Sequence, residues 1–233
     1  LNKLGFNPII IHGGGKRINN KLEDLNIRSN FINGLRVTDK NTIDIVEDVL
    51  IQFNKEIVDA LKNQSCKTKR ITSKEHNIIT VKAESDKLGF VGTPTHIKTN
   101  VLKEIIKVNE IPVIAPLGLN ENNQTFNINA DTVAGSIAKE LKARRLLILS
   151  DVEGVLNKEK KLITEINSNQ AKQMIKDETI SEGMIPKINN CLDVAKNGVK
   201  AVCIIDGRKN HSVLFELLSD KGSGTLIREW KIY

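Results

Sequence analysis

The chain has 233 residues, of which 39% are hydrophobic and 3% aromatic, and it carries a formal net charge of +7 at pH 7. This length suits one large α/β domain or two lobes that share a sheet, and the hydrophobic share is ordinary for a protein with a buried core. No apolar run approaches the roughly 20 residues of a membrane span, and so few aromatic residues are a poor supply for stacking on nucleic acid bases. Because the basic residues are interspersed with acids, we expect an anionic small-molecule substrate, and neither nucleic acid nor a membrane as a partner.

Cysteine and histidine give no sign of a disulfide framework or a metal site. Cys66, Cys191 and Cys203 are odd in number and lack C-x-x-C spacing, which predicts reduced thiols. The four histidines lack the spacing of metal ligands, so no structural metal is expected.

The first predicted strand runs directly into a glycine turn. Residues 9–11 are three isoleucines, typical of a strand buried on both faces, and His12 and the glycines at 13–15 follow at once. A helical pattern begins near Ile18. A strand, a glycine turn and a helix in this order can present backbone N–H groups to an anion, although a tight turn alone also explains the glycines. The residues that follow the glycines fit neither the dinucleotide fingerprint nor the P-loop.

Hydrophobic periodicity predicts alternating helices and strands along the rest of the chain. Helices are expected through residues 18–27, from a cap at residue 38 or 39 to near 63, and through 102–106, 133–138, 188–195 and 211–218. Strands are expected at 78–81 and 111–116, and at the start of 146–156 and 201–208, with a turn at 33–34 and loops at 89–94 and 118–125. This alternation predicts an α/β fold with a mainly parallel sheet and a soft lobe boundary near residues 124–127.

Several polar positions stand out from the pattern alone. Arg36, just before a helix cap, could hold a carboxylate or phosphate as a two-pronged donor, or could be a solvated surface arginine. Asp131 or Thr132 lies at the N-terminus of a small-residue helix, where capping alone explains Asp131. Capping does not explain Asn127 and Asn129, which are spaced to point the same way from an extended segment.

Two further positions lie in the second half of the chain. The strand within residues 146–156 is predicted to be central and ends in an acidic, glycine-containing turn. The carboxyl ends of strands are where open α/β sheets bind ligands. Lys187 lies where a loop becomes a helix, a position at which a lysine is usually only solvated.

Eight short stretches follow one another in a specific order. They are IIIHGGG at 9–15, NGLRVTD at 33–39, LGFVG at 88–92, IPVIAPLGL at 111–119, NINADTVA at 127–134, LSDVEGVL at 149–156, EGMIPK at 182–187 and IIDGRKNH at 204–211. Each is weak alone, but the ordered set covers nearly the whole chain and resembles the acetylglutamate kinases of the amino acid kinase family. The combination of GLRVTD with NINAD separates the chain from carbamate, aspartate, uridylate and glutamate 5-kinases.

The resemblance implies a three-layer αβα sandwich in a single amino acid kinase domain. An acceptor-binding and dimerisation lobe would cover about 1–125 and a nucleotide-binding lobe about 126–233. The implied reaction is ATP-dependent phosphorylation of the side-chain carboxylate of N-acetyl-L-glutamate, giving N-acetyl-L-glutamyl 5-phosphate and ADP in arginine biosynthesis, with Mg²⁺ arriving on ATP. Two alternatives stay open: another kinase of this fold, such as carbamate kinase, against which Arg36 and Asn127 argue, and a catalytically silent ligand-binding subunit.

The resemblance also implies roles for the acceptor residues. Gly14 and Gly15 would offer backbone N–H groups to the acceptor and the transferred phosphoryl group. Arg36 would grip the α-carboxylate of the acceptor, and Asn127 would bind the acceptor with Asn129 beside it.

Catalytic and nucleotide roles follow from the same resemblance. Asp131 would orient the catalytic lysines, and Lys187 would neutralise charge on the transferred group. The nucleotide would be framed by Asp151, Val152, Gly154, Val155, Leu156, Thr179, Ile180 and Ser181.

The sequence departs from the family pattern at three places. The family begins with a strand that carries a second catalytic lysine before a Gly-Gly turn, and the chain as given starts after it. We therefore expect weak or no activity from this chain and activity from the full gene product. Lys16 stands where the family usually has proline, and residues 71–75 read ITSKE where a Gly-Lys-Asp loop is expected.

The C-terminal run HSVLFELLSDKGSGT at 211–225 is similar to arginine-inhibited members of the family. The similarity implies feedback inhibition by L-arginine and a homodimer or a hexamer built as a trimer of dimers. Cyanobacterial and plastid relatives bind a PII signalling protein, which makes PII a further candidate partner. The expected location is the cytoplasm, or the plastid stroma if the gene is plastid-encoded.

Overall fold

The computed structural model describes residues 1–180 and 183–229, and the chain divides into two compact units, Leu1–Val133 and Ala134–Tyr233. The described helices are α1 (Gly15–Asp24), α2 (Lys40–Asn63), α3 (Thr99–Lys107), α4 (Ala130–Glu140), α5 (Ser168–Lys176), α6 (Ile185–Lys196) and α7 (Ser212–Leu218). None of these described helices combines the length and the apolar character that crossing a bilayer requires.

Strands alternate with these helices in both units, so the predicted α/β class is confirmed. The described strands are β1 (Ile10–Ile11), β2 (Phe31–Ile32), β3 (Leu35–Arg36), β4 (Thr68–Ile71), β5 (Ile79–Ala83), β6 (Gly92–Ile97), β7 (Ile111–Ile114), β8 (Leu117–Leu119), β9 (Thr125–Asn127), β10 (Arg145–Ser150), β11 (Glu165–Ile166), β12 (Ala201–Asp206) and β13 (Gly224–Ile227).

The first unit is built on a parallel three-stranded sheet with the order β1-β7-β4. Strand β7 is central and all four of its residues are buried, as its apolar run predicted. Strand β1 pairs with it at Ile10–Val113 and Ile11–Ile114. The prediction that β1 is buried on both faces is wrong, because β1 lies at the edge of this sheet and both of its isoleucines are only half-buried.

Helices α1 and α2 pack together over the end of β7. Their shared core consists of Ile18, Leu22, Val46, Leu50, Ala115 and Leu117. Helix α1 begins at Gly15, three residues before the predicted start, and Leu25, predicted to lie on its apolar face, is 46% exposed because the helix ends at Asp24. Helix α2 begins after Asp39, whose carboxylate accepts hydrogen bonds from the main-chain N–H groups of Asn41 and Thr42, so Asp39 is the cap.

The second unit contains a mixed four-stranded sheet with the order β10-β12-β13-β11. Strands β10 and β12 run parallel from Arg145–Ala201 to Ser150–Asp206, and β13 returns antiparallel to β12. Helices α6 and α7 pack against β12. Strand β10 was predicted to be central, but in the described sheet it lies at one end.

Several elements were not predicted. Strand β4 was missed because its sequence, TKRI, has charged residues at its two middle positions, and only Thr68 and Ile71 are buried. Strands β8 and β9 form a hairpin across most of the predicted loop at 118–125. Strands β11 and β13 and helix α5 were likewise not predicted.

Candidate active site

The glycine turn links β1 to α1. Gly14 is the N-cap of α1 and its carbonyl accepts from the N–H of Ile18 at 2.9 Å. A Cβ added to Gly14 would lie 2.5 Å from Leu50 Cδ2, so any larger residue there would displace the Leu50 side chain from the core between α1 and α2. A Cβ added to Gly13 or Gly15 would meet no described atom within 4 Å. Helix packing therefore explains one of the three glycines and leaves the other two available for close approach of a ligand.

Arg36 lies against this turn. Its guanidinium donates Nη1–H to Ser29 Oγ (2.7 Å) and Nη2–H to Asn19 Oδ1 (2.6 Å) and to the Gly15 carbonyl (3.2 Å). The ring of Phe31 lies 4.7 Å from its Cζ. Arg36 is only 7% exposed, so the alternative of a solvated surface arginine is wrong.

The electrostatics of Arg36 are unusual for a buried charge. Burial lowers the pKa of its guanidinium, yet an arginine stays protonated in proteins. The contacts recorded for it in the described residues are with neutral oxygens and an aromatic ring, and none is a carboxylate. The desolvated positive charge of Arg36 therefore lies beside the glycine turn, where it suits an incoming carboxylate or phosphate.

Asn127 lies at the end of β9 and is linked to Arg36 by hydrogen bonds through Thr38. Its Nδ2–H donates to Thr38 Oγ1 (3.3 Å), and its main-chain N–H donates to the Phe90 carbonyl (2.9 Å). Thr38 is fully buried and donates its hydroxyl to the Arg36 carbonyl at 3.1 Å. The structure thus connects three of the predicted acceptor residues, Gly15, Arg36 and Asn127, within the first unit.

The start of α4 corrects one interpretation of the sequence. Asn129 Oδ1 accepts from the main-chain N–H of Thr132 at 3.1 Å and from its hydroxyl at 3.4 Å. Asn129 is therefore the capping side chain, and the suggestion that Asp131 or Thr132 provides the cap is wrong. Asp131 lies in the first helical turn, where the helix dipole favours a negative charge.

In the second unit, the turn after β10 is shaped by a residue that sequence reasoning missed. The main-chain N–H of Val155 donates to Thr225 Oγ1 (2.8 Å), and the Thr225 hydroxyl donates to the Ile163 carbonyl (2.6 Å). Gly154 has φ +145°, and a Cβ there would lie 2.6 Å from Thr225 Oγ1. The turn can therefore hold only glycine at this position. Its neighbours Asp151, Val152 and Leu156 are exposed or half-buried.

The remaining predicted residues also lie in the second unit. Thr179 donates its N–H and hydroxyl to Asp177 Oδ1, and these bonds lower the pKa of that carboxyl. Ile180 is buried, and Ser181 lies outside the described residues. Lys187 is half-buried in the first turn of α6, where a cation opposes the helix dipole. Helix stability therefore does not explain a lysine at this position.

Among the described residues, no group of three or more His, Cys, Asp or Glu side chains is placed to hold a metal ion. Cys66, Cys191 and Cys203 are not joined by disulfides in the structure. The partners that bury Arg36 were missed, because Asn19 and Ser29 lie on a polar helix face and in a loop, where sequence gives no sign that they converge.

Comparison with known proteins places this geometry in context. The model of the amino acid kinase family matches residues 1–206. The acetylglutamate kinase of Pelagibacter ubique (strain HTCC1062) is 76% identical over 229 residues, which are 98% of this chain and 80% of that protein. The acetylglutamate kinase of Ruegeria pomeroyi is 47% identical over the same shares of the two chains.

Solved structures agree on the fold. The structure of smu.665 from Streptococcus mutans UA159 has a TM-score of 0.86 at 31% identity and covers 97% of this chain and 88% of its own. An N-acetylglutamate synthase from Neisseria gonorrhoeae, complexed with coenzyme A and N-acetyl-glutamate, has a TM-score of 0.89 at 22% identity, covering 99% and 54% of the two chains. At that identity the second likeness concerns the fold alone.

Proposed function

The chain belongs to the amino acid kinase family, and from this premise we propose that it transfers the γ-phosphoryl group of ATP to the side-chain carboxylate of N-acetyl-L-glutamate. The products would be N-acetyl-L-glutamyl 5-phosphate and ADP, and the reaction would serve arginine biosynthesis. The relatives at 76% and 47% identity carry the acetylglutamate kinase name, which supports this acceptor over the others used in the family. The alternative from the sequence, a carbamate kinase, is represented by a structure from Giardia at 17% identity, a likeness that concerns the fold alone.

The observation that carries the proposal is the buried charge of Arg36 beside the glycine turn. An isolated buried guanidinium costs stability unless an anion completes its partners. The α-carboxylate of N-acetyl-L-glutamate would supply that anion, with Asn127, and Asn129 beside it, binding the rest of the acceptor. The acceptor's side-chain carboxylate would then lie near the main-chain N–H groups of Gly14 and Gly15.

Phosphoryl transfer needs positioning and charge stabilisation rather than a covalent intermediate. We propose that Gly14 and Gly15 donate main-chain N–H bonds to the transferred group and that Lys187 neutralises the charge that develops on it. Asp131 would orient Lys187 and the second catalytic lysine that the family carries on its first strand. The nucleotide would contact the turn at 151–156 and the segment at 179–181, and Mg²⁺ would enter bound to ATP as the substrate complex, since Mg²⁺ is usually held through substrate phosphates.

The test is a coupled ADP-release assay with N-acetyl-L-glutamate and ATP, run on the full-length gene product. Arg36→Met keeps the length of the side chain and removes its charge. Because a charged hydrogen bond contributes about 1.5–3 kcal/mol, we expect KM for N-acetyl-L-glutamate to rise about 10–100-fold while KM for ATP stays unchanged. The unfolding midpoint of the variant is measured alongside, because removing a desolvated charge is stabilising while the loss of the donors to Ser29, Asn19 and the Gly15 carbonyl is destabilising.

Arg28→Met is the matched control, because Arg28 is exposed in the loop after α1. It should leave both KM values unchanged. ADP release with carbamate but not with N-acetyl-L-glutamate would reject the proposed acceptor. Binding of N-acetyl-L-glutamate without any ADP release would support the catalytically silent subunit instead.

Regulation and assembly are part of the proposal and rest on the family resemblance. We infer that L-arginine inhibits the enzyme, that it forms a homodimer or a trimer of dimers, and that a PII protein is a candidate partner. We propose the cytoplasm as its location, since the named relatives are bacterial and the plastid alternative finds no support among them. An unchanged rate on addition of L-arginine to the full-length enzyme would contradict the regulatory part.

A further inference from the structure

Two buried polar side chains behind the glycine turn take no part in the function described so far. His12 follows β1 and is 6% exposed, and Asn54, in the middle of α2, is fully buried. Asn54 Nδ2 lies 3.0 Å from the Val113 carbonyl oxygen and 3.2 Å from His12 Nε2. His12 Nδ1 lies 2.9 Å from the Gly13 carbonyl oxygen. These contacts form a chain from the central strand β7 to the glycine turn.

The proton positions in this chain follow from its ends. The Val113 carbonyl can only accept, so the Asn54 amide must turn its NH₂ group towards it. The same NH₂ group then directs its second hydrogen to His12 Nε2, which must act as an acceptor. A neutral imidazole carries one proton, so that proton lies on Nδ1 and is donated to the Gly13 carbonyl.

The Gly13 carbonyl belongs to the same peptide unit as the Gly14 N–H. A trans peptide is planar, and its C=O and N–H bonds point in opposite directions. When His12 holds the Gly13 oxygen on its own side, the Gly14 N–H must point away from His12. The direction of one of the proposed phosphoryl-binding N–H groups is therefore fixed by a side chain that does not touch the ligand.

We propose that His12 and Asn54 are positioning residues, which orient the Gly13–Gly14 peptide so that the Gly14 N–H faces the transferred phosphoryl group. This inference rests on the proposed phosphoryl transfer at the glycine turn. It concerns residues that act through the peptide and not on the substrate.

Stability alone does not explain Asn54. Its Oδ1 is buried and has no hydrogen-bond partner in the described structure, because the amide is turned to donate twice. Leaving a buried acceptor unmet is destabilising, and an apolar residue of the same shape would avoid it. The two N–H bonds that Asn54 directs to His12 and Val113 therefore support a positioning role for this residue.

Burial also keeps His12 in the required neutral form. Desolvation lowers the pKa of the imidazole, against a smaller raising effect of its bond to Gly13. Protonation would place an N–H on Nε2 facing the Asn54 NH₂, so two donors would oppose each other. The Phe53 ring packs on His12 in a T-shaped arrangement, with ring centroids 5.1 Å apart. The guanidinium of Arg17 lies over the same Phe53 ring and pairs with Glu56 at 2.8 Å.

The first experiment is ¹⁵N NMR of the histidine side chains in the wild-type protein at neutral pH. We expect His12 to be neutral with its proton on Nδ1. Asn54→Leu, which replaces the amide with an apolar side chain of similar shape, removes the donor that faces Nε2 and should raise the population of the Nε2–H tautomer above its wild-type level. A proton on Nε2 in the wild type, or no change in Asn54→Leu, would overturn the inference. Neither measurement depends on which substrate the protein uses.

The second experiment compares two substitutions of His12 in the coupled assay. His12→Asn places an amide where Nδ1 was and can still donate to the Gly13 carbonyl. His12→Gln reaches towards Asn54 and cannot. We expect kcat of His12→Gln to fall about 10–100-fold, as when an orienting partner is lost, with a much smaller fall in His12→Asn and little change in KM for either substrate.

Val58→Ala is the stability control, because Val58 is buried on the same helix and has no contact recorded with the turn. It should lower the unfolding midpoint and leave kcat and the His12 tautomer unchanged. Equal kcat values for His12→Gln and His12→Asn would overturn the positioning role. Failure of the wild-type enzyme to release ADP would instead count against the proposed function and would leave the tautomer result standing.

Discussion

Arg36 and Asn54 are both buried, and each leaves a polar requirement unmet within the described structure. Arg36 carries a charge whose recorded partners are neutral, and Asn54 has a carbonyl oxygen without a partner. Both lie next to the glycine turn. Arg36 donates to the Gly15 carbonyl, and Asn54 contacts His12, which contacts the Gly13 carbonyl. Selection for stability would replace such groups, so their position around one turn supports a functional explanation for the turn itself.

The glycines of this turn can be separated by substitution. Gly15→Ala should leave the unfolding free energy unchanged or raise it by up to about 1 kcal/mol, because alanine favours the helix and the space around its Cβ is open. If a substrate approaches the main chain there, the same methyl group should obstruct it, and kcat/KM should fall. Gly14→Ala is the contrasting variant, since its Cβ would collide with Leu50 and lower stability. Full activity in Gly15→Ala would show that no ligand comes close to residue 15.

The sequence was enough to predict which residues belong to the candidate site, but not which residues contact them. Arg36 could be singled out because it precedes a capped helix and matches a family motif. Its burial could not be predicted, because Ser29 and Asn19 reach it from a loop and from α1, and Phe31 covers it from the neighbouring strand. His12 was noted only as the end of a strand, since nothing local pairs it with Asn54, 42 residues later.

At the scale of elements, prediction followed the strength of the local signal. Helix α2 has a strong period and an aspartate cap, and its cap and its end at Asn63 are confirmed. Strands β4, β11 and β13 are two to four residues long, and their pairing partners, not their sequences, make them strands. Helix α5 did carry a usable signal, because Asn167 and Gln170 form a capping box.

The cap of α2 gives a pH-dependent prediction. Its bonds to Thr42 and Asn41 lower the pKa of Asp39, so its contribution to stability is present above the ordinary value of 3.8 and is lost as pH falls through the lowered value. Asp39→Ala should cost about 1 kcal/mol of unfolding free energy at neutral pH. Asp39→Asn keeps the acceptor and should cost less, while removing this part of the acid sensitivity. Urea unfolding of the three proteins at neutral pH and below 3.8 checks both effects.

Glu47 links α2 to two other elements of the first unit. Its Oε1 accepts from the hydroxyls of Ser73, after β4, and Thr125, on β9, and its Oε2 lies 3.5 Å from Lys74 Nζ. Glu47 is 7% exposed, and Glu47→Ala leaves the buried hydroxyl of Ser73 and the half-buried hydroxyl of Thr125 without their acceptor, which should cost about 1–3 kcal/mol. Asp48→Ala is the control, because Asp48 also pairs with Lys74 but is exposed. Equal unfolding midpoints for the two variants would contradict this role.

At the scale of the whole molecule, the family and its fold could be predicted because eight weak motifs occur in one order. The position of the boundary between the two units was predicted less accurately. The structure separates two compact units between Val133 and Ala134, inside α4, whereas sequence reasoning placed a soft boundary near 124–127. A boundary inside a continuous helix has no change of composition to mark it, since the small residues of α4 run across it without a break.

Assembly provides the last prediction, because strand β4 has an open edge in the first unit. Among the described strands it pairs with β7 alone, and beside it Thr68 Oγ1 and Arg70 Nε are buried without a hydrogen-bond partner. An adjacent cavity of about 270 Å³ is lined by the cations Lys62, Lys69 and Arg70 and by the anions Glu75 and Glu110. A second copy related by a two-fold axis would pair positive with negative groups and cover the edge.

Light scattering should therefore give a mass near twice the 25.9 kDa of one chain. Arg70→Glu should shift it towards the monomer, while Arg28→Glu, away from this cavity, should not; a monomeric wild type, or a dimer indifferent to Arg70→Glu, would exclude this interface.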